Sequence, residues 1–95
     1  MWLKFITKSE DLINLDSVGQ IRAEGRTMII LFNTEQAWQF NRVYQSEAQA
    51  KFMVKEIEKA LRGDALVWSE EIAADNWTYM FGENAADQNG LKRDD

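Results

Sequence analysis

The sequence predicts an α+β domain: an antiparallel β-meander of four or five strands over residues 1–45, packed by one long helix from Ser46 to Arg62. Three observations predict it. Short apolar runs in the first 45 residues are separated by turn-forming residues at strand-like intervals. Residues 46–62 repeat apolar side chains at helical spacing. The chain has 95 residues, enough for one compact core and too few for two.

The strands follow in order. Met1 to Thr7 and Leu12 to Leu15 are apolar runs divided by the polar Lys8-Ser9-Glu10-Asp11. After the turn signal Asp16-Ser17, Gln20, Arg22 and Glu24 alternate with Ile21 and Ala23, the period of a half-buried strand. Glu24-Gly25-Arg26 predicts a tight hairpin turn into Thr27 to Phe32. Asn33-Thr34-Glu35-Gln36 turns the chain into Ala37 to Tyr44, where Trp38, Phe40 and Tyr44 share one face and Gln39, Asn41 and Val43 the other. Such short connections favour antiparallel neighbours, because parallel strands need long crossovers.

Ser46 opens the helix as its N-cap, with Gln49 three residues on completing a capping box, and Gly63 is the expected left-handed stop. Ala50, Met53, Val54, Ile57 and Leu61 form a stripe about 100° wide that faces a core. Glu47 to Lys51 and Glu58 to Arg62 are favourable four-residue pairs on its flanks.

Residues 64–81 read as an acidic aromatic segment. Ser69 followed by Glu70 and Glu71 marks the start of a short helix, with acidic residues near its positive end. Asn76 to Phe81 fits either the continuation of that helix or a strand. The small and polar residues 82–95 read as a flexible tail, leaving 1–81 as one domain.

Composition narrows the chemistry. Eleven basic and sixteen acidic side chains give a net charge of −5, which repels phosphate backbones and disfavours direct nucleic-acid binding. The acidity is concentrated after Gly63. Without Cys or His there is no thiolate nucleophile, disulfide, Cys/His zinc site or imidazole base. Gly-rich phosphate loops are missing too, and consecutive Glu70 and Glu71 point in different directions on a helix. No catalytic, cofactor or metal residues are therefore expected. Asn76-Trp77-Thr78 fits a glycosylation pattern but lacks a secretory signal, and Asp87-Gln88-Asn89-Gly90 lacks the spacing of a calcium loop. No apolar run is long enough for a membrane span, and a cytoplasmic protein is expected.

The functional clue is apolar surface in excess. In Met28-Ile29-Ile30-Leu31-Phe32 both faces of the strand are apolar, and the first strand carries Leu3 and Phe5 on one side with Trp2 and Ile6 on the other. One helix covers one face. The lid for the second is either Leu66, Val67, Trp68, Ile72, Trp77, Met80 and Phe81 or a partner molecule. Burying these seven side chains represents on the order of 10 kcal/mol, which rivals the net stability of a small domain. Phe52, opposite the core stripe, is positioned to anchor that segment or a partner. The partner-binding candidates are Trp2, Phe52, Trp68, Glu70, Glu71, Trp77, Tyr79 and Phe81. The expected function is a non-enzymatic protein-interaction module whose partner is another protein or, as the favoured case, a second copy in a homodimer. The alternative is an acidic phage-type inhibitor that mimics nucleic acid before a nucleic-acid-processing protein.

Overall fold

A computed structural model describes residues 1–7, 11–33 and 38–88, with side chains as far as Phe81. The fold is α+β, built from two three-stranded sheets and two helices. Strand β1 (Trp2–Lys4) pairs antiparallel with β2 (Leu12–Asn14). A single 3₁₀ turn over Leu15–Ser17, with Asn14 Oδ1 accepting from the Asp16 amide at 3.1 Å, then carries the chain out of that sheet. This break is why the first 45 residues do not make one meander. Strands β3 (Val18–Glu24), β4 (Thr27–Phe32) and β5 (Gln39–Val43) make the second sheet, antiparallel and in chain order.

The hairpin between β3 and β4 closes at Glu24 opposite Thr27. Gly25 takes a φ of 57° while Arg26 stays at negative φ, the signature of a type II′ turn with glycine at its first central position. Helix α1 (Glu47–Arg62) begins where the sequence places it, with Ser46 Oγ accepting from the Gln49 amide at 3.1 Å. The reciprocal half of the box is displaced by one residue, since Gln49 Oε1 accepts from the amide of Gln45. The left-handed residue at the other end is Asp64, φ 56°, and not Gly63, whose φ is −87°. Glu47–Lys51 and Glu58–Arg62 pair along the surface as expected.

Beyond α1 the chain forms a third strand of the first sheet. Strand β6 (Val67–Ser69) lies parallel to β1, with Trp2 opposite Val67 and Leu3 opposite Trp68. Parallel pairing demands a long crossover, and everything from β2 to α1 supplies it. The acidic segment then continues directly into α2 (Glu70–Gln88), so Asn76 to Phe81 is helix, not strand; of the expected tail, residues 82–88 are helical backbone and 89–95 lie outside the described residues. The expected four- or five-stranded meander is thus six described strands in two sheets.

One core joins these pieces. Leu3, Phe5, Ile13 and Trp68 from the first sheet meet Met28, Ile30 and Tyr44 from the second, and Ala50, Met53 and Ile57 of α1. Val54 is half-buried and Leu61 is 53% exposed, so the helix stripe is narrower than its spacing implies. The far face of the second sheet also departs from expectation. The apolar Ile29, Leu31 and Val43 are interleaved there with Gln20, Arg22, Glu24, Gln39 and Asn41. Arg22 bonds Gln20 and Glu24, and Gln39 bonds Asn41, which gives this face a polar cover with no lid among the described residues. Both faces of β4 are apolar in sequence, yet its two neighbours supply the shielding. We expect Ser46→Ala to cost about 1 kcal/mol, read as a lower urea midpoint at unchanged slope.

Candidate functional site

Alternation along β5 places Arg42 between Phe40 and Tyr44 on the inward side of the strand. Their common target is Glu70, the first residue of α2, which is 2% exposed. Its Oε2 accepts from Tyr44 Oη at 2.6 Å and Arg42 Nε at 2.8 Å. Its Oε1 accepts from Arg42 Nη2 and the Ile6 amide, both at 2.9 Å. Arg42 Nη2 also donates to the Ile6 carbonyl at 2.9 Å. Four donors occupy both oxygens, so the carboxylate has its hydrogen-bonding capacity filled and acts as a clamp between β1, β5 and α2.

The electrostatics fit a closed network. Hydrogen bonding to Glu70 raises the Arg42 pKa, and burial, followed by the bond to Glu70, pushes the Tyr44 hydroxyl far above its ordinary value of 10. Glu71 points to solvent, so the two adjacent glutamates do not form a pair. Among the described residues no three Asp or Glu side chains gather to hold a metal ion, and no helix is long and apolar enough to cross a membrane.

A second interior contact docks α2 on α1. Phe52 meets Trp77 edge-on at 5.2 Å and Phe81 at 6.0 Å, while the Trp77 and Phe81 rings lie 4.4 Å apart. Phe52 is therefore the anchor of the acidic segment within its own chain. The segment does not lie across a sheet face. It adds β6 to the edge of the first sheet and packs α2 beside α1.

Among the described residues nothing covers the outer face of the first sheet. Trp2 is 46% exposed, Leu12 60%, Val67 53% and Ile6 52%. Ile6 lies just past the end of β1, and the register arranges the others in two rows, Leu12–Lys4–Ser69 and Asn14–Trp2–Val67. Leu66 and Ile72 extend the apolar area at its β6 side, Ile72 sharing a groove with Val67. A separate groove of about 320 Å³ between α1 and β3, lined by Leu15, Val18, Ile21, Val54 and Leu61, sits at the lower limit for a small-ligand pocket.

Of the residues singled out from sequence, Trp68, Glu70, Trp77 and Phe52 serve the interior, while Trp2, Glu71, Tyr79 and Phe81 reach solvent. Only Trp2 among them belongs to the bare sheet face. Sequence reasoning missed Leu12 and Lys4 and named Val67 only as part of a lid, because Val67 joins their face through a pairing between strands more than 50 residues apart. It also missed Arg42, although a charged residue flanked by inward Phe40 and Tyr44 was a readable sign of a buried ion pair.

Compared with protein-family models, curated proteins and solved structures, the chain matches none.

Arg42→Met strands a buried carboxylate and is expected to cost about 3 kcal/mol in urea unfolding. Tyr44 also sets a pH dependence. Its folded pKa is raised, so its contribution is fully present below pH 10 and is lost as the unfolded chain ionises above that value. Stability measured by circular dichroism should fall more steeply above about pH 10 in the wild type than in Tyr44→Phe. Phe52→Ala should cost about 2 kcal/mol and speed amide exchange in α2 more than in β4.

Proposed function

We propose that this chain is a non-enzymatic protein-interaction module that associates with itself through the outer face of its first sheet. The observation that carries this reading is the bare group Trp2, Leu12, Val67 and Ile6, on a sheet whose other face is buried. Contiguous apolar surface of this kind marks contact sites more often than ordinary solvent-facing surface. Completing the burial of four half-exposed side chains is worth roughly 3 to 6 kcal/mol, half the figure for burying each of them fully. A charge of −5 on each copy opposes association at long range, so apolar contact has to supply the attraction.

A non-enzymatic role accords with the filled hydrogen-bonding capacity of Glu70, the carboxylate most deeply buried among those described. A cytoplasmic setting belongs to the same proposal and rests on the cysteine-free composition, which suits a reducing compartment. A second reading, the acidic inhibitor that occupies a nucleic-acid site on another protein, draws on Glu71 and Asp75, exposed on α2 and without ion-pair partners among the described residues. Salt separates the two readings. Apolar self-association persists or tightens as salt rises, whereas capture by a basic partner weakens.

Sedimentation across concentrations up to about 1 mM should show a reversible dimer that survives high salt. Val67→Asp should abolish it without changing the melting temperature, because the side chain is exposed. A wild type that remains monomeric throughout would retire self-association.

A further inference from the structure

We infer that the second copy docks face to face about a two-fold axis running along the strands between β1 and β6, with Lys4 of each copy meeting Glu71 of the other. The arrangement rests on the self-association proposed above, and it follows from which symmetry the face tolerates. The outer face is a grid, with columns β2, β1 and β6 about 4.8 Å apart and rows about 7 Å apart. A like-on-like contact must map this grid onto itself.

Each choice of axis along the strands gives a different set of contacts. Centred on β1, it stacks Lys4 on the second copy's Lys4 and brings like charges together. Centred between β1 and β2, it sets Lys4 on Leu12 and the Trp2 indole on Asn14, desolvating an ammonium group against an aliphatic side chain. Centred between β1 and β6, it exchanges those two strands and leaves the rows in place. Trp2 then covers the second copy's Val67, twice, and Lys4 lies over the second copy's Ser69. Leu12 falls one column beyond β6, toward the second copy's Ile72. This third axis joins apolar to apolar and leaves Lys4 a partner of opposite charge.

That partner is Glu71. It shares a small depression at the end of β1 with Lys4 and Ser69, and both it and Lys4 are exposed. Neither forms an ion pair with another described residue. Across the axis each lysine reaches the other copy's glutamate, giving two reciprocal pairs at the rim of an apolar centre. The columns from β2 to the first turn of α2 span roughly 15 to 20 Å, a footprint well below the ~800 Å² per partner of a standard interface. A rapidly exchanging dimer with a dissociation constant of tens of micromolar or weaker is the expected scale.

Charge exchange at two exposed positions tests the arrangement without threatening the fold, which melting curves verify. Lys4→Glu and Glu71→Lys should each weaken dimerisation by about tenfold, and the double variant should recover most of the loss. An equimolar mixture of the two single variants should form heterodimers tighter than either homodimer. Glu71→Lys is the decisive case, since it reduces the negative charge of each copy and would tighten association if only overall repulsion mattered. Dimerisation that ignores all of these changes, or tightens in Glu71→Lys, overturns the arrangement while leaving self-association intact. Absence of wild-type dimer at about 1 mM overturns both.

Discussion

The Glu70 carboxylate and the Arg42 guanidinium together hold the end of β1, β5 and the start of α2 in place. Glu70 is the first residue of α2, and its four hydrogen bonds reach the end of β1 and two side chains of β5. One buried anion thus ties the two sheets together beside the apolar core that they share. The interaction is demanding as well as cohesive, because a carboxylate removed from water is tolerated only while its donors stay in place. Displacing α2 at that end would leave Arg42 and Tyr44 facing an apolar core.

Around that clamp the two sheets solve the problem of their outer faces differently. In the second sheet, long polar side chains on the flanking strands lie beside the apolar ones and hydrogen-bond along the strand. Three-residue strands in the first sheet offer fewer such neighbours. Lys4 and Asn14 are the polar groups in its rows besides Ser69, and Trp2 and Val67 sit side by side. The contrast is local, and it makes one end of the molecule polar-sheathed and the other apolar.

Much of this was legible in the residues themselves. Ser46, the α1 periodicity and Gly25 act within a few residues of chain, and the structure places the helix and the hairpin where they predict. The α+β class follows from the same local signals. What the chain did not disclose depends on separations of tens of residues. Val67 and Leu12 share a face with Trp2 only after β6 has paired with β1, and no periodicity in a three-residue strand announces that pairing. Glu70 read as a helix-dipole residue because its neighbours are acidic, whereas its position beneath Arg42 is a tertiary matter. The segment after Gly63 was one of two candidate lids for a sheet face, the other being a partner molecule, and it forms a strand at the sheet edge and a helix beside α1 instead.

The pairing of β1 with β6 has a consequence for how the chain acquires its shape. The second sheet and α1 are contiguous in sequence and need only short loops to assemble, so they can nucleate early. Closing β1 onto β6 brings together residues some 65 positions apart, so the first sheet is the late-forming part. During synthesis, an emerging chain would carry β1 and β2 as an incomplete hairpin until β6 had left the ribosome. Until that pairing forms, its apolar strands stay in the open.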